Sequence, residues 1–179
     1  IGWISTINEH GQSNLAPYSF FNAVSADPPC VMFASGGRMD GKGKKDSQLN
    51  AEQTGEFVCS IVGHDQREAM NQTSIHLPYG EDEMPNAGLE GEASKLVKPL
   101  RVKNAPVHLE CKYMQSIQMP CWREDRENWV IFGEVVGIHV DSKIIKDGLV
   151  DVTLYQPVSR LGYMDYSTVT ELFQMDRPD

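Results

Sequence analysis

No stretch of this sequence comes near the ~18 uninterrupted apolar residues that a membrane-spanning helix needs, so no membrane partner is expected. Basic residues are in the minority: 16 Lys and Arg stand against 25 Asp and Glu, a net charge of −9 and the wrong sign for a general nucleic-acid binder. Paired cysteines are missing too. Cys30, Cys59, Cys111 and Cys121 are scattered, with no Cys-x-x-Cys and no Cys–His spacing suited to zinc. The first three sit in apolar, strand-like runs, so buried, reduced thiols in a cytoplasmic protein are the expectation. The Gly-x-Ser-x-Gly elbow of hydrolases, the Gly-x-Gly-x-x-Gly dinucleotide fingerprint and any outstanding carboxylate pair are absent. His10, His64, His76, His108 and His139 have no ligand spacing, and Trp3, Trp122 and Trp129 read as packing residues. A chain without a catalytic constellation can still do chemistry through a bound redox cofactor, which needs none.

What is present is ordinary globular material: 179 residues, 40% hydrophobic and 23% charged, enough for a single domain spanning 1–179. The opening Ile-Gly-Trp-Ile-Ser-Thr-Ile has a strand pattern rather than that of a signal peptide, and the chain is expected to start inside a longer one. Strands are expected over Ile1–Ile7, Ser13–Ser25, Cys30–Ser35, Glu56–Val62, Val107–Met119, Trp129–Val140 and Val150–Tyr155. Val107–Met119 and Trp129–Val140 form a hairpin bent at Gly133 or Gly137. Short helices are expected over Ser47–Thr54, capped by Asp46 or Ser47 and stopped by Gly55, and over Asp65–Thr73. Pro78–Ser94, with five acidic residues and no basic one, reads either as a solvated loop or as a lid. Hairpin spacing with few helices favours a mainly β fold, a small antiparallel barrel.

Two segments carry chemistry. Gly36–Lys45 packs four glycines and four basic residues between a strand and a helix start. Bare amides, a helix dipole and ammonium groups would converge there on one phosphate at Lys45, Asp46 and Ser47; the alternative is a solvated loop beside an ordinary helix. Gly36-x-x-x-x-Gly41-Lys42 begins like a nucleoside-triphosphate loop, but Gly43 replaces the hydroxyl that would hold magnesium, and that reading is rejected. The second segment is Asn14-Leu-Ala-Pro-Tyr-Ser19. Its proline breaks the ladder, so it is either a plain irregular strand or an edge whose free groups meet a planar heterocycle.

Taken in order, Ile1-Gly-Trp-Ile-Ser-Thr, Asn14-Leu-Ala-Pro-Tyr-Ser-Phe-Phe-Asn22, Ser25-Ala-Asp-Pro-Pro29, Lys45-Asp-Ser-Gln-Leu-Asn50, Thr54-Gly-Glu-Phe-Val58 and Pro157-Val-Ser-Arg-Leu-Gly-Tyr resemble the flavin reductase-like family. The resemblance implies a six-stranded antiparallel Greek-key split barrel, a homodimer with FMN near the subunit interface, and a further strand before Ile1. It implies that Asn14, Ala16, Pro17, Tyr18 and Ser19 border the ring or ribityl chain. Ser35, Lys45, Asp46, Ser47 and Asn50 would hold the ribityl phosphate, and Arg160 and Tyr166 would close the site. The implied activity is transfer of reducing equivalents from transient NADH or NADPH through FMN to a second acceptor, such as an electron-acceptor protein. A flavoredoxin-type electron carrier without nicotinamide chemistry, and a cofactor-free anion-binding module, are the other readings.

Overall fold

The structure is a computed structural model and describes residues 1–38 and 43–178. Gly41 and Lys42 of the rejected phosphate-loop pattern therefore lie outside the described residues. Four strands open the chain: β1 (Gly2–Ile7), β2 (Ser13–Tyr18), β3 (Phe21–Ala26) and β4 (Pro29–Ser35). Helix α1 (Asp46–Thr54) leads into β5 (Glu56–Ile61), and α2 (Arg67–Gln72) and α3 (Glu83–Asn86) follow. A small pair, β6 (Gly91–Glu92) and β7 (Arg101–Val102), precedes the long hairpin β8 (Val107–Met119) and β9 (Asn128–Val140). Two further small pairs close the chain: β10 (Ile145–Lys146) with β11 (Leu149–Val150), and β12 (Val158–Arg160) with β13 (Tyr166–Thr168).

The main sheet is antiparallel throughout and has seven strands in the order β2-β1-β5-β8-β9-β4-β3. Its two outermost strands, β2 and β3, are consecutive in the chain and joined only by Ser19 and Phe20. Three Cα steps span at most ~11 Å, so the two edges must meet and the sheet must roll up. The result is a barrel with an open seam, the split barrel that the family resemblance implies. The single strand expected over Ser13–Ser25 is thus two strands on opposite edges, which raises the expected six to seven. Pro17 and the exposed Ser19–Phe20 step are where the run changes partner.

Strand periodicity explains how both sheet faces are filled. On β1, Ile4 points inward to Tyr18, Val31, Phe33, Phe57, Cys59, Cys111 and Ile131. Its neighbour Trp3 points outward to a second core of Leu15, Val62, Met70, Met84, Val102 and Val158. Helices α2 and α3 and the segment from Met84 to Val102 cover that outer face, whereas α1 brings Ala51 to the inner core. The β8–β9 hairpin bends twice, with one bulge on β9 next to Gly137 and one on β8 next to the residue paired with Gly133, so both expected glycines are used. The Phe57 ring lies where a Gly133 Cβ would be, so glycine is required for the close approach.

Helix α1 ends at Gly55 as expected, in the left-handed conformation (φ 75°) with its N–H on the Ala51 carbonyl. Its N-terminal neighbour is Lys45, however, and no side chain caps the first turn. Asp46 and Ser47 bond elsewhere. The expected strand over Val150–Tyr155 is also absent: Asp151 accepts the Thr153 N–H and turns Val152–Leu154 into a 3-10 helix. Trp122 is no packing residue but stands fully exposed beyond the tip of β8. All four cysteines are free, and Cys30, Cys59 and Cys111 are buried. No helix among the described residues is long and apolar enough to cross a membrane.

Candidate functional site

A cleft of about 260 Å³ opens where β2, the start of α1 and the segment after α2 meet. Alternation along β2 sends Asn14, Ala16 and Tyr18 to one side, opposite Thr6, Ile4 and Gly2 of β1. Asn14 Nδ2 donates to Ser47 Oγ at 2.9 Å, fixing the first turn of α1 against the strand. Arg38, at the end of the segment leaving β4, pairs with Asp46 at 2.9 Å. Lys45 behaves differently. Its ammonium has no carboxylate among the described residues and lies 5.8 Å from the centre of the Tyr18 ring. The cleft thus holds a free cation beside an uncapped helix N-terminus.

The far wall is Thr73–Leu77, which Trp3 pins in place by donating its indole N–H to Thr73 Oγ1 at 2.8 Å. Beneath it, Asp82 caps α3 and sets Glu83 against β2, where Glu83 Oε2 accepts the Leu15 N–H at 2.7 Å. The segment Pro78–Ser94 is therefore neither a plain solvated loop nor a detached lid. Glu83 and Met84 are buried in it.

Burial displaces the titratable groups of the cleft from their ordinary values. Burial pushes the Tyr18 phenol up to about 12, with the nearby Ser47 and Ser35 hydroxyls pulling back. Burial raises Asp46 against the pull of Arg38, and lowers Lys45. Glu83 is pushed up to about 7, chiefly by burial, against the Leu15 N–H that favours its ionised form. The Tyr18 hydroxyl, in the cleft wall, is buried without a hydrogen-bond partner among the described residues, which suits a site built to meet a polar ligand.

Chain and cleft can be set beside known proteins. The family described as "Flavin reductase like domain" matches residues 1–158. The chain belongs to this family. An uncharacterized protein of Aquifex aeolicus is 39% identical over 163 residues, covering 90% of this chain and 80% of the relative. The crystal structure of nitrilotriacetate monooxygenase component B from Bacillus cereus superposes with a TM-score of 0.89 at 29% identity, covering 97% of this chain and 85% of that one. The 2-nitrobenzoate 2-nitroreductase of Pseudomonas fluorescens superposes at 0.81 with 27% identity, covering 99% and 83%.

In this flavin reductase-like chain, Asn14, Ala16, Pro17, Tyr18, Lys45, Asp46 and Ser47 come together around the cleft. The other residues singled out from the sequence lie elsewhere. Ser19 is exposed in the seam, and Ser35 is buried beside Tyr18 without lining the cleft. Asn50 faces inward, donating to Thr6 Oγ1 and accepting from Tyr79, so its amide holds the helix to β1. Arg160 and Tyr166 stack on each other across the β12–β13 pair, 5.7 Å from cation to ring. Arg38, the Thr73–Leu77 wall and Glu83 were not singled out from the sequence. Nothing in the order Thr-Ser-Ile-His-Leu marks a binding wall, and Glu83 is one acid among five in its segment.

Proposed function

We propose that this cleft holds FMN and that the protein passes reducing equivalents from NADH or NADPH through it to a second acceptor. The observation that carries the reading is the Lys45 ammonium, partly desolvated at the start of α1 and without a carboxylate partner among the described residues. A dianionic phosphate is the group such a corner suits. Lys45, the Ser47 hydroxyl and the first-turn N–H groups would hold that phosphate. Ala16, Pro17 and the face of Tyr18 offer a mostly apolar wall to a planar ring. The Tyr18 ring is fixed for this by its packing on Phe33, 4.8 Å between centroids. FMN, when bound, supplies two-electron chemistry at its N5.

With no dinucleotide fingerprint in the chain, the nicotinamide would stack transiently on the open face of the ring. The enclosed volume, about 260 Å³, falls below the ~300–1,000 Å³ usual for cofactor sites, so one chain leaves the ring partly uncovered. Residues 1–179 act in this reading as one FMN-binding unit, completed by a second copy. Phe20 at the seam is 74% exposed, and Tyr163, Met164 and Phe173 in the tail are each more than 80% exposed, a quantity of apolar surface that favours a homodimer.

The deciding experiment is an absorbance spectrum after FMN loading and desalting, followed by NADH or NADPH without oxygen. Retained flavin bands that bleach on adding nicotinamide are expected. Retained bands that do not bleach would make the protein an electron carrier fed by a partner, and loss of all flavin would refute the cofactor assignment. Sedimentation is expected to give twice the 20.0 kDa chain mass, and a monomer would remove the second copy from the site.

A further inference from the structure

Glu83 is a carboxyl out of place. It is buried to 6% exposure and lines the proposed cofactor cleft. Its Oε2 takes the backbone N–H of Leu15, and no cation pairs with it among the described residues. The charged and titratable groups around it are Asp82 on its own segment, Asp46 on α1 and Lys45 just before it, Arg38 after β4, Tyr18 on β2 and His76 on the far wall. The positive charge of Arg38 is spent on Asp46, and the two acids Asp46 and Asp82 disfavour a third negative charge. A carboxyl so placed can hold a proton near neutral pH, which an exposed glutamate does not.

We propose that Glu83 is the proton reservoir of this cleft, taking up one proton from solvent as the bound flavin is reduced and giving it back on reoxidation. The proposal rests on the FMN reading above. Hydride transfer would oxidise NAD(P)H to NAD(P)⁺ and bring in two electrons with one proton, adding one negative charge to a cleft that already holds Asp46. Protonation of the Glu83 carboxylate cancels that charge. When two electrons and the proton that came with the hydride leave, as a hydride to the acceptor or as electrons to it and a proton to solvent, the added charge goes with them and Glu83 releases its own proton to water. Its pKa, already raised to about 7 with the cleft empty of that charge, would rise further on reduction.

The test compares the native protein with Glu83→Gln, which removes the ionisation but keeps an oxygen to accept the Leu15 N–H. In the FMN-loaded native protein, the reduction equilibrium should change by an extra factor of ten per pH unit over a window beginning near pH 7. For a two-electron couple that is about 30 mV per pH unit added to the slope of the midpoint potential. Glu83→Gln should lack the extra slope and show a higher potential on the alkaline side. Carbon-13 NMR of the apoprotein should show one glutamate carboxyl titrating near pH 7 that is missing from the variant. Equal slopes in the two loaded proteins, or a Glu83 titration at the ordinary ~4.3, would overturn the proposal while leaving FMN binding intact. Failure of both proteins to retain FMN would overturn the cofactor reading and this proposal with it.

Discussion

Replacing Lys45 and Ser47 together by alanine should weaken FMN binding by about 2–4 kcal/mol, roughly 30- to 1,000-fold. Each residue would contribute one hydrogen bond to a charged acceptor, worth ~1–2 kcal/mol when lost. Lys45 carries the larger share, because its ammonium has no carboxylate to neutralise among the described residues. It is partly desolvated before any ligand arrives, so removing it takes away an attraction without freeing a carboxylate. Ser47 has already used an oxygen lone pair on Asn14, which leaves its hydrogen for a ligand. Fluorescence titration of the apoprotein with FMN measures the effect, with the far-UV spectrum checking that α1 survives. Unchanged affinity would place the phosphate elsewhere.

A loss of ~3–5 kcal/mol in unfolding free energy is expected for Glu110→Ala, far from the cleft. Glu110 is completely buried at a bulge of the long hairpin, and its carboxylate holds the otherwise irregular segment before β7. It accepts the N–H groups of Lys95, Leu96 and Val97 at 2.8, 2.6 and 3.2 Å, and faces His139 Nε2 as well. Alanine would strand all of these donors. Burial pushes the Glu110 carboxyl up, but the backbone donors and His139 outweigh it and hold the group below its usual value. Its contribution is therefore complete above the ordinary glutamate pKa of ~4.3 and is lost as pH falls through the lower folded value.

His108, two positions before Glu110 on the same strand, is lowered to about 4 by burial and by the charges of Arg101 and His139. Because the folded state resists protonating it, native stability declines as pH falls from ~6.5 toward about 4. Urea midpoints of the native protein and Glu110→Ala at pH 7 and pH 3 check both statements. A gap between the two proteins that does not narrow in acid would mean that the Glu110 carboxylate is not what secures the segment.

Much of this architecture is written in local patterns. The alternation of Val107, Leu109 and Cys111, with glycines at 133 and 137, marks the bent hairpin because strand period and bulge chemistry are properties of a few adjacent residues. Lys45 stands out for a similar reason, since a strand, a glycine-rich loop and a helix start follow one another directly. What escapes the sequence depends on remote partners. Ser13 to Ser25 reads as a single strand, and only the registers with β1 and β4 reveal that its halves lie on opposite edges. The Val150–Tyr155 pattern has the right hydrophobic spacing, yet a single Asp151 side chain diverts it into a 3-10 turn. Glu83 becomes special only through the Leu15 amide, sixty-eight residues away in the chain.

The seam between β2 and β3 has a consequence for how the protein behaves in a crowded solution. An unclosed barrel keeps a bare strand margin, and a bare margin invites other chains to add to it and build aggregates. On β2 that invitation is withdrawn at two successive outward positions. Pro17 has no N–H to offer, and the Leu15 N–H is already taken by Glu83. A strand arriving from another molecule would find acceptors but no donors there, and could not continue a ladder. Pro17 and the Leu15–Glu83 bond thus guard the edge of β2 that borders the cleft.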